Sequence, residues 1–241
     1  MHRKIKIVKS CREKKGRPTA NDSPTAVQPA GWAIRLLWGW LVLTASLATA
    51  PAAGQSVDFP FKAGETAAYG AYYNLNFIWL QSGEVNFSVD TLVYQHQKAW
   101  HLLATGKTFK AYDLLMTVRD TFETFSNYET LRPLYSRRAM NHGKENSDYQ
   151  YWFDYQTRKV TADIHQAKKE VYRGSIPMDG DAFDLLATAY KFRNDDFEKL
   201  FVGEKVPYSM IIDKQVANLY FRYLGKENIK TRNGQKFRCH K

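Results

Sequence analysis

Three acids crowd one short stretch of this 241-residue chain, Asp179, Asp181 and Asp184, and close-set oxygen ligands suit a hard cation such as calcium. The stretch lacks the D-x-D-x-D-G loop and the distal bidentate Glu of an EF-hand. Asp181 can instead cap a following helix and Asp184 suits its first turn, so the acids read as helix-terminal charges and no metal is expected. His96, His101, His142, His165 and His240 form no H-x-x-x-H or H-E-x-x-H pair, and two cysteines do not make a zinc set. His101, within Trp100-His101-Leu102-Leu103, reads as a hydrogen-bonded strand histidine. No G-x-S-x-G elbow, P-loop or G-x-G-x-x-G fingerprint occurs. Glu65, Glu84, Asp120 and Asp154 can converge as paired carboxylates, but acids scattered over strands fix no pair. No catalytic residue and no cofactor is therefore assigned. Aromatic side chains are the richest resource. Tyr69, Tyr73, Trp79, Phe87, Trp100, Phe183 and Tyr190 are the candidates to line a cavity for an apolar or amphipathic ligand; a stacking surface for sugars and plain core filling are the alternatives.

The elements that must position these side chains are mostly strands. In Glu84-Val85-Asn86-Phe87-Ser88-Val89-Asp90 the apolar residues share one face and the polar ones the other. The stretches 121–125, 149–153, 159–165, 205–212 and 217–223 are similar, rich in Val, Ile and Tyr. Turn signals at Gln81-Ser82-Gly83, Asn141-His142-Gly143, Tyr155-Gln156-Thr157 and Asn233-Gly234 separate them. The last predicts a hairpin of 229–232 with 236–239. One helix interrupts the strands: Phe183, Leu186, Ala187 and Tyr190 form an apolar stripe, with Lys191 and Arg193 in the last turn. The reading is mainly β: an antiparallel, strongly curved sheet or incomplete barrel with one short helix packed on it, closing a greasy concavity.

Upstream, Arg35 precedes a run of apolar residues to Ala50, and small residues follow. That is the order of a secretory signal peptide, with cleavage expected near Gln55; the alternative is a signal anchor. The run is short of the roughly 20 residues of a comfortable bilayer span, so no stable transmembrane span is expected. The formal charge of +11 is concentrated here. Residues 1–54 hold nine Lys and Arg against two acids, so the remainder carries only +4 and gives no signature of nucleic-acid binding. Cys11 would leave with such a leader, and Cys239 would remain alone.

Phe61-Lys62-Ala63-Gly64-Glu65, Tyr69, Tyr73 and Trp79-Leu80-Gln81-Ser82-Gly83-Glu84-Val85 resemble the opening of a bacterial envelope family, domain of unknown function 3108. Val118-Arg119-Asp120, Thr130-Leu131-Arg132-Pro133, Phe153-Asp154, Ile176-Pro177 followed by 181–193, and Leu224-Gly225-Lys226-Glu227 match in kind. The resemblance covers about Phe59 to Lys241. It implies an exported bacterial β-rich protein, supplies no catalytic residues, and suggests that members continue past Lys241.

The expected organisation is a basic leader plus signal peptide over 1–54 and a single β-rich domain over 55–241, truncated at its C-terminal end. The expected role is non-enzymatic, in the periplasm of a Gram-negative bacterium or secreted: binding or carrying an apolar or amphipathic, lipid-like ligand, or partnering an envelope protein or other envelope component. The alternative is a cell-wall glycan-binding module or glycoside-type hydrolase.

Overall fold

The structure, a computed structural model, describes residues 58–75, 78–114, 117–231 and 234–241. Side chains of 73–75, 78 and 79 lie outside that description, as do the leader and its apolar run. The described residues belong to one compact unit.

Alternation resolves into eight antiparallel strands, each paired with its sequence neighbour: β1 (Glu65–Leu75), β2 (Ile78–Tyr94), β3 (Gln97–Thr108), β4 (Arg119–Asn127), β5 (Pro133–His142), β6 (Glu145–Asp154), β7 (Lys159–Gln166) and β8 (Tyr172–Pro177). Pairing does not join β1 to β8, so the sheet is open. The helix α1 (Leu185–Asn194) follows, then two hairpins, β9 (Lys205–Ile212) with β10 (Gln215–Arg222) and β11 (Lys226–Lys230) with β12 (Lys236–His240). The fold is mainly β and antiparallel with one short helix, as expected. Among the described residues, no helix is long and apolar enough to cross a membrane.

Two local readings are corrected. Gln81-Ser82-Gly83 is not a turn but lies inside β2, where Ser82 is the extra residue of a bulge facing Ala71 and Tyr72. Gly83 is there for close approach: a Cβ would stand 2.3 Å from the Lys107 carbonyl oxygen on β3. Gly83→Ala is therefore expected to cost about 1–3 kcal/mol in urea unfolding, through forced separation of β2 and β3. Unchanged stability would show that the strands spread freely. Second, the helix cap is Asp184 and not Asp181. Phe183 spends its backbone on β9, donating to Ser209 and accepting from Ile211, and so cannot be helical. Asp181 instead binds Arg132 Nε at 2.9 Å.

One face of the sheet is covered by the chain itself. Over β2 and β3, Val89, Trp100, Leu102 and Ala104 pack against Phe59, Phe61 and the helix residues Leu186, Ala187 and Tyr190. Leu102 is fully buried, which stabilises by about 1.5–3 kcal/mol relative to exposure. Over β6 to β8, Tyr151, Phe153, Val160, Ala162 and Ile164 pack with Met178 and Ile211. There the β9–β10 turn is tied down by Asp213. Its carboxylate takes Arg138 at 2.6 Å, and its carbonyl accepts from the Tyr151 hydroxyl at 2.9 Å. Small polar residues of β4 and β5, Thr124, Ser126 and Ser136, occupy the middle, where Thr124 donates to Asp184 at 2.6 Å.

Candidate functional site

Of the seven candidate lining residues, the five with described side chains lie together, Phe87 packing against the cluster that holds the buried ones. Trp100, Phe183 and Tyr190 are buried in a single packed cluster. Trp100 stacks on Tyr128 at 4.9 Å and donates its indole N–H to the Tyr128 carbonyl at 2.9 Å, while Phe61 meets both Trp100 and Tyr190 edge-on at 5.1 Å. These contacts fill the space that the sequence reading left for a ligand. Tyr69 and Phe87 are half-buried and pair edge-on at 5.6 Å across β1 and β2. The side chains of Tyr73 and Trp79 lie outside the described residues.

The opposite, outer face carries a different aromatic set. Register puts His101, Phe125, Tyr135 and Trp152 side by side on β3, β4, β5 and β6. Tyr94 joins them from the end of β2, because Gln95 and His96 turn the chain tightly with φ of 48° and 64°. Ring centroids run 5.0 Å from Tyr94 to Phe125, 5.3 Å on to Tyr135 and 5.6 Å on to Trp152. All four rings are half-buried, screened by one another on a face that otherwise meets solvent. Burial pushes the Tyr94 and Tyr135 hydroxyls above their ordinary pKa, so both stay protonated donors. Tyr135 donates to Gln150 at 3.2 Å.

Two residues further along each strand the face turns polar. Glu123, Arg137, Gln150 and Asp163 form one row; Thr121, Ala139, Asp148 and His165 form the next. Asp148 grips Arg137 through three contacts of 2.5–3.1 Å, and this hydrogen bonding holds the guanidinium pKa above its ordinary value. His101 Nε2 meets Glu123 at 2.8 Å, which bears out the reading of a hydrogen-bonded strand histidine. His165 and Arg173 both meet Asp163, at 2.8 and 3.1 Å.

Small Ala139 between Thr121 and Asp148 leaves a depression. An open cleft of about 590 Å³ sits here, bordered by Arg119, Asn141, Asn146, Asp148, His165 and Val171. Its volume lies within the range of small-molecule sites. Arg119 is fixed by Asp113 at 2.6 Å, and Thr108 donates to the same carboxylate at 2.7 Å, so Arg119 holds the Asp113 carboxyl below its ordinary pKa. The arrangement offers flat apolar rings, amides and internally matched charges on one surface. Among the described residues, no cluster of His, Cys, Asp and Glu is placed to hold a metal ion.

Sequence reasoning missed this row, yet one signal was present. In Tyr151-Trp152-Phe153 a strand must turn the middle ring to the face opposite its neighbours. Phe122 and Phe125 likewise cannot share a face.

A family model described as "Protein of unknown function (DUF3108)" matches residues 68–241. Neither the curated proteins nor the solved structures contain a match to the chain.

Proposed function

The chain belongs to the DUF3108 family of proteins of unknown function, and from that premise we propose that it is an exported, non-enzymatic binding protein that holds a cell-envelope component against the outer face of its large sheet. One observation carries the reading. The inner face is filled by the chain's own aromatic and aliphatic side chains, whereas Tyr94, Phe125, Tyr135 and Trp152 stand in a row on the solvent side. Carriage of a lipid-like molecule inside the fold would require Trp100, Phe183 and Tyr190 to exchange tight mutual packing for a ligand. Binding at the outer face requires no such rearrangement, because its polar groups are already oriented by the Arg137–Asp148 ion pair and by the His101–Glu123 and His165–Asp163 contacts. Export rests on the charged, apolar and small-residue order ahead of Gln55.

The test is fractionation of a Gram-negative host expressing the full chain. A mature species beginning between Pro51 and Ser56 is expected in the periplasm, and once purified it should co-sediment with isolated cell envelopes. Trp152→Ser, on the outer face, should lose most of that co-sedimentation, while Val202→Ser, on a distant exposed loop, should keep it. Full-length protein retained in the inner membrane, or equal sedimentation of both variants, would contradict the reading.

A further inference from the structure

Building on the outer face as the binding surface, we infer that its ligand is a neutral, hydroxyl-rich glycan chain laid along β5 from the Tyr135 and Trp152 rings to the Ala139 cleft. The aromatic row supplies ring faces on which the C–H faces of sugar rings stack, consecutive rings lying 5.0–5.6 Å apart and tilted 37–51° to one another. Beyond it come Gln150, Asn141 and Asn146. Their amides donate and accept in one plane, matching hydroxyls that do both. From Tyr135 to Asn141 the strand extends about 20 Å, room for several consecutive sugar rings.

Charge selects against the other ligand classes. The basic groups beside the row are matched within the protein: Arg137 by Asp148 in three contacts and Arg173 by Asp163, with the His101 and His165 rings set against Glu123 and Asp163. A phosphate or sulfate would have to break these pairs to be recognised, and a carboxylated lipid would meet the same difficulty. An acyl chain also needs an enclosed apolar site, whereas this cleft is open, its apolar lining of Ala139, Ala167 and Val171 interrupted by Arg119, Asn141, Asn146, Asp148 and His165. A neutral polyol keeps every ion pair intact and adds hydrogen bonds around them.

The purified full-length protein is titrated calorimetrically with cellohexaose and with tetra-N-acetylchitotetraose, and dextran sulfate and palmitate serve as comparators. Binding of at least one neutral oligosaccharide is expected, with affinity unchanged between about 50 mM and about 500 mM salt. Trp152→Ser and the cleft-filling Ala139→Phe should each weaken it by roughly tenfold or more. Ala139 points outward, so its enlargement leaves the core untouched and guards against a trivial folding effect. The inference is overturned if neither neutral oligosaccharide binds, if binding is confined to dextran sulfate or palmitate, or if Ala139→Phe binds as well as wild type. Loss of envelope co-sedimentation in Trp152→Ser without oligosaccharide binding overturns the glycan assignment alone; co-sedimentation indifferent to Trp152→Ser overturns the outer-face reading itself.

Discussion

Phe183→Ala is expected to lower stability by about 3–5 kcal/mol, among the largest single-residue effects in the molecule. The ring is 4% exposed and belongs to the cluster that joins α1 to β2 and β3. Its backbone is equally committed, donating to Ser209 at 3.0 Å and accepting from Ile211 at 2.8 Å, so collapse around the lost ring is restricted from the β9 side. A site that cannot relax keeps its cavity, and cavity cost adds to lost transfer energy. Urea denaturation measures the effect. A loss below about 1 kcal/mol would mean that the segment ahead of the helix is loosely packed, and the account of a filled inner face would fail with it.

The second large effect is a dependence on pH through Asp184. This carboxylate caps α1, accepting from the backbone N–H groups of Leu186 and Ala187 at 3.2 and 3.1 Å, and takes the Thr124 hydroxyl. Burial against the apolar cluster outweighs those hydrogen bonds and pushes its pKa up to about 6. A folded pKa above the unfolded value means that the native state holds the proton more tightly. The associated stability is full below about pH 4 and is lost as pH rises through 6, an effect of about 3 kcal/mol at most. Asp184→Asn keeps the shape and the acceptor oxygen but cannot titrate. Relative to wild type, it should gain about 2–3 kcal/mol between about pH 4 and about pH 7.5. The difference between the two proteins is the proper readout, because Asp113, Asp154 and Asp163 have lowered pKa values and act in the opposite sense. A flat difference would show that Asp184 titrates normally and that Thr124 does not bind a buried carboxylate.

Much of the scaffold was legible because its determinants are local. The alternation Val85, Phe87, Val89 marked β2, and the stripe Leu186, Ala187, Tyr190 marked the buried side of α1. The hairpin pairing Ile229 with Phe237 was marked by Asn233-Gly234, though Asn233 itself lies outside the described residues. Errors arose where a distant strand decided the outcome. Gly83 reads as a turn residue until Lys107 is known to press on it, and Asp181 reads as a cap until β9 claims the Phe183 backbone. The aromatic row is non-local throughout: Tyr94, Phe125, Tyr135 and Trp152 lie on four strands, and only the register of β2 to β6 makes them neighbours. Hydrophobic pattern assigns rings to the core by default, so four rings at the polar positions of their strands were invisible as a set.

The most direct test of an outer-face binding surface is hydroxyl-radical footprinting of the purified protein with and without isolated cell envelopes. Added envelopes are expected to protect Tyr94, Tyr135 and Trp152, while Trp100 and Tyr190, already buried, stay unreactive in both states. Protection falling instead on the exposed residues Phe201, Tyr220 and Leu224, with the reactivity of Tyr135 and Trp152 unchanged, would place the partner elsewhere and contradict the account.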